Sequence, residues 1–219
     1  MMEKYGILLI DDETAYHAIV AALLEPHGVT VRRAGDADAA LAAVQGEPAA
    51  MILLDVQLGA DDGRELVASL RRMRPWVAEC PVIAFTTMQP PDGDRYFRDR
   101  GFDGWFHKPF QASGLLALTG QCLGTDLSGA LPDGGESTLS RLLGAEAAAA
   151  MVERLHDHLR EAVTAIDDGA DPAPIGHRVG GLAGTLGFPM LSTAWLSLQD
   201  SAAAWPTVRS LTIEALGRA

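Results

Sequence analysis

Lysine is almost absent from this chain: of 17 basic residues only Lys4 and Lys108 are lysines, and the rest are arginine. Cysteine is equally scarce. Cys80 and Cys122 stand far apart in no ligand-like spacing, which argues against a disulfide framework and a zinc site. No apolar run approaches the roughly 18 residues that a bilayer-spanning helix needs. The run that follows Met1-Met2-Glu3-Lys4 is ended after four residues by Asp11-Asp12, too short for the apolar core of a signal peptide. Positive charge is also lacking. The net charge is −12, with 17 acids against 11 bases in residues 1–123 and 12 against 6 in residues 124–219. Neither half is basic, which argues against a DNA-binding output domain. The expectation is a cytoplasmic protein with no membrane segment and no nucleic-acid partner.

What is present suffices for packed cores, with 48% hydrophobic residues, and it changes character midway. The first half alternates strand-like and helix-like segments. Strands are expected at Ile7–Ile10, Val29–Arg33, Met51–Leu54, Val82–Phe85 and Gly104–His107. Helices are expected at Thr14–His27, Asp36–Gln45, Asp62–Arg74, Asp92–Arg100 and Ser113–Cys122. Strict alternation of this kind implies a parallel sheet with helices on both faces. Residues 124–136, with glycines at 124, 129, 134 and 135 and Pro132, read as a linker. Beyond it no strand pattern occurs. Residues 137–168 are Ala-rich and helical, with Leu139, Leu142, Leu143, Met151, Leu155, Leu159 and Ile166 spaced for one buried face. Asp171-Pro172 reads as an N-cap followed by proline at the first helical position, opening a helix to about Gly187. Pro189 breaks that helix, Leu191–Ala204 forms another, and Pro206 starts a last short one. The second half is expected to be an all-α hairpin or bundle.

In an open parallel sheet ligands sit beyond the carboxyl ends of the strands. Those ends carry Asp11-Asp12, Asp55, Thr86 and Lys108. Three converging carboxylates repel one another and need a cation, and a hard divalent ion such as Mg²⁺ suits oxygen ligands while keeping positions for water and a phosphoryl group. A carboxylate can itself be the nucleophile that accepts phosphate. Phosphoryl transfer asks mainly for alignment and charge neutralisation. Lys108 would supply a compact positive charge, in a chain that otherwise uses arginine, and Thr86 a hydrogen bond.

The segments Ile7-Leu8-Leu9-Ile10-Asp11-Asp12, Met51-Ile52-Leu53-Leu54-Asp55, Pro81-Val82-Ile83-Ala84-Phe85-Thr86 and Lys108-Pro109-Phe110 resemble the response-regulator receiver family. The intervals agree too, with 43 residues from Asp12 to Asp55, 31 to Thr86 and 22 to Lys108. The resemblance implies a doubly wound, flavodoxin-like sheet of five parallel strands over residues 1–123. It also implies Asp55 as phosphoacceptor and a Mg²⁺ site made by Asp12, Asp55 and the backbone carbonyl of Gln57, with Asp11 assisting. Thr86 and Trp105 would be the paired switch residues. Three positions depart from the family. Gly59 replaces the usual proline and is expected to loosen its loop, Thr87 replaces a very small residue, and Trp105 is bulkier than the usual ring.

His177 has Gly180, Gly181 and Gly184 at i+3, i+4 and i+7, on its own helix face. Each glycine costs a helix about 1 kcal/mol relative to alanine. Two readings follow: a bare face that lets a partner reach the imidazole, or a loop or tight helix–helix contact. The segment His177-Arg178-Val179-Gly180-Gly181-Leu182-Ala183-Gly184-Thr185-Leu186-Gly187 resembles the histidine phosphotransfer (HPt) family. That resemblance implies a four-helix-bundle-type domain over residues 137–219 with His177 as a second phosphoacceptor. Gly180 departs from it, standing where the family carries Lys or Arg. His156 and His158 are expected to be surface residues, with His107 pointing away from the acidic site.

The combined reading is a Mg²⁺-dependent phosphorelay protein, a phosphoacceptor rather than a conventional turnover enzyme. Its partners would be a sensor histidine kinase and other receiver or HPt domains. The alternatives are a phosphorylation-switched interaction module whose helices carry no phosphate, and a phosphate sink.

Overall fold

The computed structural model describes residues 6–127 and 145–217. Leu139, Leu142, Leu143 and the linker from residue 128 on lie outside the described residues. The chain forms two compact units.

The first unit is built on a parallel sheet. Its elements are β1 (Ile7–Ile10), α1 (Thr14–Leu24), β2 (Val31–Ala34), α2 (Ala37–Ala43), β3 (Met51–Leu54), β4 (Gln57–Leu58), β5 (Asp61–Asp62), α3 (Gly63–Met73), α4 (Pro75–Glu79), β6 (Val82–Thr86), α5 (Asp94–Arg98), β7 (Gly104–His107) and α6 (Ala112–Leu123). The strand order is β2-β1-β3-β6-β7, and every neighbouring pair is parallel, with Ile7 opposite both Val31 and Met51. β1 and β3 are buried on both faces, as their unbroken apolar runs require. The chain leaves β1 towards β2 and returns as β3 on the other side of β1. The crevice of such a sheet opens at that reversal, beyond the carboxyl ends.

Local chemistry sets the helix limits. Asp36 caps α2 by accepting from the Ala39 N–H at 2.7 Å, and Asp62 caps α3 through the Arg64 N–H at 2.9 Å. α1 ends at Leu24, and a 3₁₀ turn over Glu25–His27 completes the stretch read as one helix. Gly124, the first residue of the expected linker, is the left-handed cap that ends α6 (φ 65°). Two elements were not visible in the sequence: the β4–β5 hairpin, an antiparallel pair, and α4, opened by Pro75 at its first position.

The second unit consists, among the described residues, of four helices: α7 (Ala145–Asp167), α8 (Pro172–Thr185), α9 (Pro189–Leu196) and α10 (Trp205–Gly217). Met151, Leu155, Leu159 and Ile166 of α7 are all buried, so that stripe faces inward as expected. Asp171 caps α8, accepting from the Ala173 N–H at 3.0 Å, with Pro172 at its first position. α8 packs against α7 and α9, and α10 against α9 and α7. Trp195 is fully buried, and its Nε1–H donates to Thr212 Oγ1 of α10 at 3.0 Å.

One expectation needs correction. Leu191–Ala204 is not a single helix. Pro189 opens α9 but does not end α8, which stops at Thr185 ahead of a left-handed Gly187 (φ 87°), and α9 stops at Leu196. Two 3₁₀ turns, Ser197–Gln199 and Ala202–Ala204, follow. Ser201, with an extended backbone (φ −158°, ψ 113°), separates the two turns, so no helix runs through to Ala204. Ala202 and Ala203 are exposed, so no apolar stripe repays a continuous helix there.

Candidate functional site

Asp11 and Asp55 are placed by the backbone ladder itself. The Asp11 N–H bonds to Ala34 O at 3.0 Å and the Asp55 N–H to Ile10 O at 2.8 Å, so each carboxylate emerges just past its strand. Side-chain oxygens of Asp11, Asp12 and Asp55 lie within 4.8 Å of one another. Asp11 is fully buried and Asp55 is 5% exposed, whereas Asp12 is exposed. Oδ1 of Asp11 accepts from the Glu13 N–H and Oδ1 of Asp55 from the Gln57 N–H, each at 3.0 Å.

Packing carboxylates this closely, two of them out of water, costs several kcal/mol unless a cation compensates. The donor set is all oxygen, suited to a hard divalent ion. One exposed member leaves a side open to water and to a phosphoryl group. The residues therefore fit Mg²⁺.

The hairpin after Asp55 accounts for a family departure. Gly59 has φ +59°, and no non-glycine residue in the described chain has positive φ. Positive φ at Gly59 followed by negative φ at Ala60 is the II′ pattern of a two-residue hairpin turn. Proline, fixed near −65°, cannot occupy that position. A Cβ on Gly59 would stand 3.6 Å from Asp12 Oδ2, so this turn borders the acidic cluster. Instead of a loose loop, the segment is a paired hairpin. Asp61, the first residue of β5, also accepts from the Ala37 N–H of α2 at 3.2 Å.

Thr86 ends β6 fully buried, and its Oγ1 accepts from the Met88 N–H at 3.2 Å. Its own O–H proton is thereby left to donate. Lys108 directly follows β7 and is 2% exposed. Burial to that degree is rare for lysine without a partner. Trp105 on β7 packs against Phe97 with ring centroids 5.4 Å apart, and its buried Nε1 makes no hydrogen bond. The ring of His107 engages the loop beyond Thr86, with Nε2 3.2 Å from Thr87 O and 2.7 Å from Gln89 Nε2.

Cys80 and Cys122 are free thiols. Burial pushes Cys80 up to about 12 and raises Cys122 as well.

In the helical unit His177 is half-buried on α8, and its Nδ1 lies 3.2 Å from Gln199 Oε1. With Nδ1–H as donor, the ring lone pair sits on Nε2. Gln199 was not foreseen. It lies 22 residues beyond His177, past a proline, and no periodicity links the two. Two glycines of this helix have a structural cause. A Cβ on Gly176 would lie 2.5 Å from Trp195 O, and one on Gly180 would lie 2.6 Å from Leu196 Cγ and 3.0 Å from Leu196 N. Gly180 is thus part of a tight contact between α8 and α9, not part of a bare face. A cation at that position would be driven into Leu196. Arg178 is exposed.

The family model described as response regulator receiver domain matches residues 7–119. The nitrogen assimilation regulatory protein NtrX of Azorhizobium caulinodans is 33% identical over 123 residues, which cover 55% of this chain and 26% of NtrX. The sensor histidine kinase GacS of Pseudomonas protegens is 31% identical over 126 residues, covering 53% of this chain and 13% of GacS. The matched stretch thus spans about a quarter of one relative's length and an eighth of the other's. Among solved structures, the chemotaxis response regulator CheY4 of Vibrio cholerae matches with a TM-score of 0.50 at 28% identity, covering 55% of this chain and 99% of CheY4. The helices from Ala145 onward lie outside the family match.

Proposed function

This chain belongs to the response regulator receiver family through residues 7–119, and from that premise we propose that Asp55 accepts a phosphoryl group from the phosphohistidine of a sensor kinase. The observation that carries the reading is the cluster of Asp11, Asp12 and Asp55, with two of its three carboxylates buried. Asp11, Asp12, Asp55 and the carbonyl of Gln57 would hold Mg²⁺, which neutralises charge on the phosphoryl oxygens. A carboxylate oxygen of Asp55 forms the new bond to phosphorus while the bond to the donor imidazole nitrogen breaks. The product is an acyl phosphate. Lys108 provides positive charge at the end of β7, and Thr86 donates its O–H to a phosphoryl oxygen. The protein acts as a phosphoacceptor in the cytoplasm. No helix among the described residues is long and apolar enough to cross a membrane.

The reading extends to the helical unit, proposed as an HPt domain over residues 137–219. His177 would exchange phosphate with an aspartate, either Asp55 or one on another receiver. The contact with Gln199 supports this, because it orients the ring with Nε2 as the nucleophilic nitrogen. A second reading is favoured by Gly180. Leu196 fills the space that a phosphate-steadying cation would need, which suits helices that bind a kinase or regulator without carrying phosphate.

One experiment separates these readings. The protein is incubated with Mg²⁺ and a small acyl phosphate, and wild type is compared with Asp55→Asn and His177→Ala. Aspartyl phosphate is lost in base, and phosphohistidine is lost in acid. Phosphate on His177 that disappears in Asp55→Asn establishes an internal relay. Phosphate on Asp55 alone leaves an active receiver and moves the source of phosphate for His177 to other proteins. No phosphate on either residue overturns the relay and favours the interaction module.

A further inference from the structure

The hairpin beside the acidic cluster is tied to a distant helix by one side chain. Gln57 and Asp62 are register partners across the hairpin, and the Gln57 N–H is the donor to Asp55. Arg64 grips the carboxylate of Asp62 as a fork. Nε donates to Oδ1 and Oδ2 at 2.8 and 2.9 Å, and Nη2 donates to Oδ2 at 2.5 Å. Nη1 reaches the other way and donates to the Tyr96 hydroxyl on α5 at 2.9 Å, 32 residues along the chain. The Arg100 guanidinium covers the Tyr96 ring at 3.7 Å. Tyr96 meets Phe97 edge-on at 5.2 Å, and Phe97, fully buried, lies 5.4 Å from Trp105. Every link from Asp55 to Trp105 is a direct contact.

An exposed ion pair by itself adds little stability. A planar guanidinium that spends two nitrogens on a carboxylate and the third on a phenol does something different: it fixes the separation of the two elements. Lysine, a single point charge, could not hold both. We propose that Arg64 is a positioning residue that locks the Gln57–Asp62 hairpin to α5, so that displacement of the hairpin on phosphorylation of Asp55 is passed to Tyr96 and the Phe97–Trp105 pair. The trigger rests on the proposed phosphorylation of Asp55; the lock does not.

Amide hydrogen exchange on the full chain, in Mg²⁺ with and without a small acyl phosphate, tests both. Wild type is compared with Tyr96→Phe, which removes only the hydroxyl, and with Arg64→Lys, which keeps the charge and loses the fork. Without phosphate, amides 57–64 should exchange roughly 5- to 10-fold faster in both variants, as local opening would require. Amides of β1 and β3 should be unchanged, which excludes a global loss of stability. With phosphate, the change in exchange that wild type shows over residues 94–100 should fall by at least half in Arg64→Lys. Hairpin exchange in Tyr96→Phe equal to wild type, or an undiminished response at 94–100 in Arg64→Lys, overturns the proposal. If wild type gains no phosphate on Asp55, the functional reading fails, and the hairpin comparison still decides the lock.

Discussion

The two units hold their candidate phosphoacceptors in opposite ways. Asp55 stands one residue past a buried strand, fixed by the bond from its N–H to Ile10 O and 5% exposed. His177 stands within a helix, half-buried, with its Nδ1 against the side chain of Gln199. A strand end is positioned by backbone pairing, so its residue type announces its chemistry. A helix face acquires its meaning from whatever packs against it. Gly176 and Gly180, flanking His177, show this: either residue suits an open docking face or a tight contact, and the contacts with Trp195 and Leu196 decide for the second.

Changes on either side should therefore break different properties. The largest effect is expected at Lys108. Lys108→Ala should slow Mg²⁺-dependent phosphorylation of Asp55 about 100-fold, read by the rate of phosphoprotein formation from a small acyl phosphate. An unchanged rate would remove Lys108 from the site. On the helical side, Gly180→Arg should cost about 2–3 kcal/mol through overpacking, measured by urea unfolding in a Trp76→Phe, Trp105→Phe background that leaves Trp195 and Trp205 as reporters. Wild-type stability in that variant would restore the open-face reading. Thr212→Val, which deprives the buried Trp195 Nε1–H of its acceptor, should cost about 1–2 kcal/mol in the same assay, with little effect on Asp55 phosphorylation.

The smallest effect is one of pH. The hydrogen bond from Arg64 holds the Asp62 carboxyl below its ordinary range. A depressed carboxyl contributes stability above the unfolded pKa of about 3.9 and loses it as pH falls through the lower folded value. The hairpin should therefore loosen only under strong acid, below about pH 4, while staying intact between pH 5 and 8. Exchange rates of amides 57–64 across that range would check it.

Much of the α/β unit was legible because parallel strands buried on both faces read as unbroken apolar runs. Ile7–Ile10 and Met51–Leu54 agree with the observed strands residue for residue on that ground, and the half-buried edge strand Gly104–His107 agrees as well through the alternation of elements and not through an apolar run. The edge strand β2 fell two residues short at its start because Arg32 and Arg33 interrupt its pattern and Val29, though buried, lies outside the ladder. The β4–β5 hairpin escaped because two-residue strands have no period to detect. The positive φ of Gly59 could have been suspected only from the missing proline. The acidic cluster was readable from strand ends alone. Gln199 was not, since its proximity to His177 is created by the packing of α9 and the turn after it onto α8.

The contact at Gly180 also constrains the order in which this chain could change. While Leu196 keeps its side chain, an arginine or lysine at 180 meets it at once, so that single replacement is expected to cost stability. Shrinking residue 196 first would open the space but leave a void between α8 and α9. The two positions are coupled: Gly180→Arg and Leu196→Ala together should cost less stability than the sum of each alone, although the Leu196 backbone N, 3.0 Å from a Cβ at 180, remains in the way.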